Sequence, residues 1–254
     1  MSVTIKSARE IELMREAGRI LAKTHEELAK ALKPGMTTWD IDHLGEKIIR
    51  SYGCIPSFKN YNGYPASICV SVNDEVVHGI PSKKHFIEEG DIVSLDAGVI
   101  YKGYHSDAAR TYGIGEISPE AGRLIEVTKQ SFFEGIKFAK AGNHLNDISS
   151  AIQTYAESFG YGVVRDLVGH GIGSHLHEDP EVPNFAGRRR GLKLRPGMTL
   201  AIEPMINEGT PEVVWLDDDW TVVTEDGALS AHYENTVLIT EGEPELLSLV
   251  SEAH

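Results

Sequence analysis

Five side chains in this sequence have the types and settings that metal-assisted or acid–base chemistry requires. The first two lie in Gly90-Asp-Ile-Val-Ser-Leu-Asp96-Ala-Gly-Val-Ile-Tyr-Lys-Gly-Tyr-His-Ser-Asp107. Lys102-Gly103 suits a two-residue hairpin turn. That turn pairs Tyr101 with Tyr104, Val99 with Ser106, Gly98 with Asp107 and Asp96 with Ala109. Cross-strand partners share a face, as do residues two apart on one strand. Asp96 and Asp107 then become diagonal neighbours, about 7–8 Å apart at the backbone. A three-residue turn would put them on opposite faces. Asp96 follows Ile92-Val93-Ser94-Leu95, so a buried strand is expected around it. Two carboxylates on one half-buried face repel each other, and burying them bare is costly. A positive group must pair with them: Arg110, Lys102 or a metal ion.

The other three candidates are a histidine and two glutamates. Ala201-Ile202-Glu203-Pro204 puts a glutamate at the end of an apolar strand that proline terminates. Glu234 is expected inside a strand spanning His232–Thr240. His170 stands between glycines in Val168-Gly-His-Gly-Ile-Gly173, where a backbone can approach a ligand closely. Asp96, Asp107, Glu203 and Glu234 together carry −4, which two divalent cations neutralise. Carboxylates with one imidazole suit Mn, Fe(II) or Co, and Zn less selectively. Two metals about 3.5–4 Å apart, bridged by carboxylates, form a hydrolytic arrangement.

These residues need a scaffold. Ser7-Ala-Arg-Glu10 reads as a capping box, followed by an apolar stripe of Met14, Ala17, Leu21, Thr24, Leu28 and Ala31. Pro34-Gly35 stops that helix. A second helix carries Ile41, Leu44, Ile48 and Tyr52 and ends near Gly53. Strand patterns cover Ile68 to Val77 and Ile92 to Tyr112. Ser118-Pro119-Glu120 opens a third helix, a fourth runs from Leu145 to Phe159, and strands return at Met198–Ile206 and His232–Thr240.

Helix, helix, strands therefore occurs twice. Shifting the chain by 107 residues aligns Lys33 with Lys140, Gly35 with Gly142, Asp40 with Asp147 and Ile41 with Ile148. The same offset aligns Ser51 with Ser158, Gly53 with Gly160, Gly90 with Gly197, Leu95 with Ile202 and Asp96 with Glu203. One offset serving helices and strands implies two similar α/β halves, about 8–112 and 115–240. No Pro/Gly/Ser-rich linker separates them, so residues 1–254 are expected to form a single catalytic domain.

Composition limits the function classes. Lys plus Arg total 24 against 38 for Asp plus Glu, giving −14 with histidine neutral over 254 residues. A phosphate backbone would repel that charge, so DNA is not an expected partner. Cys54 and Cys69, the only cysteines, read as two reduced thiols rather than a secreted scaffold. The segment Met1 to Glu12 is charged and lacks a signal-peptide core. No apolar run is long enough to span a bilayer. The expected setting is cytoplasmic.

At these positions the sequence resembles the type I methionine aminopeptidases. The resemblance rests on Tyr61-Asn-Gly-Tyr64-Pro65, Asn73-Asp-Glu-Val-Val-His78-Gly-Ile-Pro81, Asp96-Ala-Gly and His105-Ser-Asp107. It continues through Gly169-His170-Gly-Ile-Gly, His175-Leu-His177-Glu, Glu203-Pro204 and Ala231-His-Tyr-Glu234-Asn-Thr. It implies an α+β pita-bread fold, two pseudo-twofold halves around a central antiparallel sheet, and removal of the initiator methionine from nascent polypeptides. It also implies that Asp96 chelates one metal, His170 and Glu203 bind the other, and Asp107 and Glu234 bridge the two. A bridging water or hydroxide would attack the scissile carbonyl, with Glu203 as proton acceptor and His78 and His177 stabilising developing charge.

By motif position the methionine pocket would be lined by Phe58, Tyr61, Tyr64, Cys69, Leu176 and Trp220. Phe58 stands where relatives commonly have Cys, and Leu176 where many have Phe. One change fills the pocket and the other opens it. A small second residue in the substrate is the usual family preference. Asn73, Glu75 and Ser230 would hold a monovalent cation through backbone oxygens. Relatives suggest a monomer that docks transiently at the ribosome, where Arg188-Arg189-Arg190, Lys193 and Arg195 could serve. Asp217-Asp218-Asp219 would be repelled by ribosomal RNA. The competing readings are an X-Pro aminopeptidase or prolidase on the same fold, which usually carries a further N-terminal domain, and a non-catalytic relative that has lost its metals.

Overall fold

In a computed structural model that describes residues 3–249, regular structure begins at the expected cap. The Ser7 hydroxyl accepts from the Glu10 backbone N–H, and the Glu10 carboxylate accepts from the Ser7 N–H, opening α1 (Ala8–Ala31). This exchange satisfies two donors that a helix start leaves orphaned. Met14, Ala17, Leu21, Thr24 and Leu28 form the buried stripe, and Ala31 at the last position is half-buried. Thr37 and Asp40 make the same box at α2 (Thr38–Ser51). There follow β1 (Ile55–Pro56), β2 (Ile68–Val72), β3 (Glu75–Val77), β4 (Ile92–Tyr101) and β5 (Tyr104–Gly113). The two helices cover this sheet through Leu21, Leu28, Ile41, Ile49, Ile68 and Leu95.

The second half starts at the Ser118 cap, with Pro119 in the first turn of α3 (Pro119–Ile136), and continues into α4 (Leu145–Glu157). Short strands complete it: β6 (Gly162–Val163), β7 (Gly169–Gly171), β8 (Glu178–Val182), β9 (Thr199–Ile202), β10 (Met205–Asn207), β11 (Val213–Trp215), β12 (Val222–Thr224), β13 (Ser230–His232), β14 (Asn235–Leu238) and β15 (Glu245–Leu246). Phe132, Ile148, Ile152, Leu200 and Val237 form its core. Among the described residues all the strand pairs are antiparallel, in sheets ordered β1-β4-β2 with β5 on β4, β13-β10-β6, and β15-β14-β9-β7-β8. A small sheet, β11-β12-β3, takes strands from both halves.

The β4–β5 hairpin has the predicted register: Gly98 faces Asp107 and Asp96 faces Ala109. Lys102 and Gly103 both have positive φ, 48° and 85°, as a two-residue turn of matching twist demands. The strand expected over His232–Thr240 is interrupted. Glu234 lies in the break between β13 and β14, not inside a strand. The reason is a change of sheet: β13 pairs with β10, whereas β14 pairs with β9. Glu203 sits at the matching corner between β9 and β10. Both glutamates therefore occupy bends, where a side chain is freed from the strict alternation of a strand.

Candidate metal centre and substrate pocket

All five candidate ligands line one cavity of about 220 Å³. Asp96 and Asp107 enter from neighbouring strands of one sheet. His170 enters from β7, which pairs with β9, and Glu203 and Glu234 enter from the two corners. Asp107, His170 and Glu234 each present a ligand atom within 4.8 Å of the other two. His170 Nε2 is 3.6 Å from Glu203 Oε1. Gly98, opposite Asp107, has no room for a side chain: a Cβ would stand 2.6 Å from Ser57 Cβ and 2.9 Å from the Phe58 ring. Its absence lets the segment bearing Phe58 cross the strand beside the acids.

The electrostatics call for cations. Burial, with no water to solvate the charge, raises Asp96 from 3.8 to about 7. Asp107, Glu203 and Glu234 are pushed well above the usual carboxylate range, first by burial and then by repulsion from one another and from Asp96. Asp96 Oδ1 and Glu234 Oε1 are buried without a hydrogen-bond partner. His170 Nδ1 lies 2.8 Å from the Gly171 carbonyl oxygen, which can only accept. The ring proton is therefore on Nδ1, and Nε2 keeps its lone pair toward Glu203. Burial and then the neighbouring His177 lower His170 to about 3, so it is neutral. Orphaned carboxylate oxygens and an oriented imidazole lone pair fit a pair of divalent cations of oxygen-loving character.

Neither side chain considered as an alternative counter-charge serves. Arg110 is buried, but it donates to the Ala109 carbonyl at 2.6 Å, to Asn235 Oδ1 at 2.6 Å and to the Glu234 main-chain carbonyl. Its guanidinium stacks on the Tyr233 ring at 4.3 Å. Strand alternation turns Arg110 to the face opposite Asp107 and Ala109. Lys102, in the turn, sits over the Tyr101 ring at 5.0 Å. Arg110 acts instead as a clamp between β5 and the Glu234 corner. Thr236 adds a second tie, accepting from the Asp107 N–H at 2.8 Å and donating to the Asp107 carbonyl at 2.9 Å.

The same cavity is lined by Phe58, Tyr61, Tyr64, Cys69, His78, Leu176, His177 and Trp220, the residues expected around the substrate. Tyr64 donates to the Gly79 carbonyl at 2.9 Å and meets Trp220 edge-on at 5.1 Å. Cys69 faces Asp96 across β2 and β4, and both cysteines are free thiols. Trp220 is set by a turn in which Asp218 accepts from the Trp220 and Thr221 N–H groups. His177 contacts Tyr61 through Nδ1 at 2.8 Å and packs on His170 at 4.2 Å. His78 has φ +61°, a strained conformation for a side-chain-bearing residue, and burial lowers it to about 4. His78 and His177 therefore flank the ligand cluster as neutral imidazoles.

Asn62, Val77, Leu167, Val168 and Met205 also line the cavity and escaped the sequence reading. Each is close in sequence to a recognised residue, and that adjacency was the available signal. His232 escaped it too: it is buried, with both ring nitrogens unpartnered and Nε2 3.8 Å from Glu203 Oε2. Ser230 N–H donates to the Asn73 carbonyl at 2.9 Å, and Glu75 accepts from the Val72 N–H at 2.8 Å, so the three residues considered for a monovalent cation are neighbours. Arg188, Arg189, Arg190, Lys193 and Arg195 are exposed. Among the described residues no helix is long and apolar enough to cross a membrane.

Comparison with known proteins gives a consistent result. The profile of metallopeptidase family M24 matches residues 12–241. A methionine aminopeptidase of Clostridium acetobutylicum is 60% identical over 247 residues, spanning 97% of this chain and 99% of that protein. The crystal structure of a methionine aminopeptidase from Thermotoga maritima superposes with a TM-score of 0.95 at 47% identity, covering 97% of this chain and 99% of that one. An Xaa-Pro dipeptidase from Bacillus anthracis gives a TM-score of 0.79 at 27% identity, covering 96% of this chain and 61% of the dipeptidase.

Proposed function

This chain belongs to metallopeptidase family M24, and from that premise we propose that it removes N-terminal methionine from peptides and nascent proteins using two divalent cations. Its fold is the pita-bread fold. Residues 1–254 act as one catalytic domain with halves at about 8–112 and 115–240. The observation that carries the proposal is the convergence of four acids, Asp107 and Glu234 buried and Asp96 and Glu203 half-buried, and an oriented imidazole in an aromatic, thiol-lined pocket. The X-Pro reading is disfavoured because this chain is 60% identical to a methionine aminopeptidase and 27% identical to an Xaa-Pro dipeptidase. A relative without metals has no use for four carboxylates converging on one cavity, and all five ligands are present.

Asp96 would hold one cation and His170 with Glu203 the other, with Asp107 and Glu234 shared between them. When bound, the cations supply Lewis acidity toward water and the scissile carbonyl. Glu203 accepts the proton of the attacking water. His78 and His177 donate hydrogen bonds to the oxygen on which charge develops. Phe58, Tyr61, Tyr64, Cys69, Leu176 and Trp220 enclose the methionine side chain and exclude water from it. The substrate's free amine would bind at the cluster, which restricts cleavage to the first residue. A small second residue is preferred at the rim.

The metals used are Mn, Fe(II), Co or Zn, and Asn73, Glu75 and Ser230 hold a monovalent cation. The enzyme is a cytoplasmic monomer, with exposed Arg188–Arg190 available for transient ribosome contact. The test is turnover of Met-Ala-Ser by protein stripped with chelator and reconstituted with each metal in turn. Activity returns with metal and is lost with chelator. Cleavage of Xaa-Pro dipeptides without cleavage of Met-Ala-Ser would transfer the chain to the X-Pro class. His170→Ala stays folded and loses most turnover; retained turnover would remove His170 from the ligand set.

A further inference from the structure

The segment before α1 lies against the loop that carries two of the substrate-facing residues. Lys6 is 7% exposed despite its charge, and its N–H donates to the Gly197 carbonyl at 2.8 Å. Its ammonium donates to Glu178 Oε2 at 2.7 Å, and the two side chains are 4% and 8% exposed. Thr4 donates to the same oxygen at 2.7 Å, and Lys6 also contacts the Thr4 hydroxyl. The other carboxylate oxygen, Glu178 Oε1, accepts from the His175 N–H at 3.2 Å. Glu178 directly follows Leu176 and His177.

The loop is also held by Leu176, which is buried in the core, by the contact of His177 with Tyr61, and by the pairing of Glu178 with Gly171 at the start of β8. Gly173 N–H donates to the His175 carbonyl, and the Gly173 carbonyl accepts from the His105 N–H at 2.8 Å. Ser174 and His175 are exposed. A Cβ at Gly173 would collide with Lys6 Cε and stand 2.6 Å from Glu178 Oε1, so the bare glycine lets the ion pair rest on the loop backbone. Burial alone would raise Glu178, yet hydrogen bonds from Lys6, Thr4 and the His175 N–H hold it below the usual carboxylate range. A surface ion pair contributes little. This one is desolvated, and losing either partner leaves a buried charge uncompensated.

We propose that Lys6 is a positioning residue: through its buried pairing with Glu178 it fixes the loop Gly173–Glu178, and with it Leu176 in the methionine pocket and His177 beside His170. The function of that loop rests on the aminopeptidase reading. A loop loosened by a fraction of an ångström misplaces a side-chain wall and a hydrogen-bond donor together. Displacements of about 1 Å cost about a hundredfold in well-aligned sites, and a loosened loop costs about tenfold.

The experiment compares Lys6→Met, Lys6→Arg, Glu178→Gln and the double variant Lys6→Met/Glu178→Gln in metal-loaded enzyme. Turnover is read with Met-Ala-Ser, and hydrogen exchange is read across residues 173–178. Lys6→Met is expected to lower kcat/KM about tenfold, with KM raised as well as kcat lowered, and to speed exchange in the loop. Lys6→Arg restores most of the loss. The double variant is no worse than Lys6→Met, because both remove one interaction. Wild-type exchange in Lys6→Met overturns the proposal. So does a fall in kcat alone at unchanged KM, which a smaller folded fraction would give, or losses that multiply in the double variant. If Lys6→Met fails to fold, Glu178→Gln carries the same comparison. Absent turnover in the wild-type enzyme counts against the aminopeptidase reading, while loop exchange still decides the role of Lys6.

Discussion

Asp96→Asn should stabilise the protein when metal is absent. The Asp96 carboxyl is buried and raised from 3.8 to about 7, with burial the largest cause. A carboxyl raised in this way binds more protons folded than unfolded. It costs nothing well below pH 3.8, and stability is lost as pH climbs from 3.8 toward 7. At 1.36 kcal/mol per pH unit the cost is about 1 kcal/mol at pH 4.5 and about 4 kcal/mol at pH 8. The amide keeps the shape and removes the charge. In chelator, urea unfolding followed by tryptophan fluorescence should show Asp96→Asn about 1 kcal/mol more stable than wild type at pH 4.5 and about 4 kcal/mol more stable at pH 8. The buried histidines, lowered to about 3 or 4, titrate in the opposite sense, but they are common to both proteins and drop out of the difference. Manganese at a hundred times its Kd then stabilises wild type by about 2.7 kcal/mol and the variant much less. A variant equal to or less stable than wild type at pH 8 in chelator would refute the picture of Asp96 as an acid whose charge nothing in the metal-free fold neutralises.

His78→Ala and His177→Ala should each lower kcat for Met-Ala-Ser by about a hundredfold with metal content by elemental analysis unchanged, since these rings donate to the reacting oxygen rather than to the metals. Arg110→Met removes a donor from the Glu234 carbonyl and leaves Asn235 Oδ1 with the Ser248 hydroxyl alone. It should cost about 2 kcal/mol in urea unfolding, the cost of buried acceptors losing a charged donor, and weaken manganese binding in calorimetry. Ser7→Ala removes the α1 cap and should cost about 1 kcal/mol with turnover retained.

The local parts of this site were legible in the sequence because their determinants are local. Lys102-Gly103 set the hairpin register, and the register put Asp96 and Asp107 on one face. Ser7, Thr37 and Ser118 mark helix starts by chemistry that operates within three residues. A strand over His232–Thr240 is readable from its composition, while the change of sheet at Tyr233-Glu234 depends on β10 and β9, far away in the chain. Proximity in sequence makes Arg110 a candidate partner for the acids. Its true partners, the Glu234 carbonyl and Asn235, lie more than 120 residues on. Lys6 and Glu178 gave no signal, being a common pair of charges separated by 172 residues.

The tie between Thr236 and the Asp107 backbone, with the Arg110 clamp beside it, has a consequence for how the molecule can be divided. Severed in the mostly exposed connection 115–118, neither fragment would own a chelating centre, since one would keep two aspartates and the other a histidine and two glutamates. Tight manganese capture would become a property of the reassembled pair alone. Such a split protein would report fragment reunion through its affinity for an ion, with the threonine hydroxyl acting as the latch.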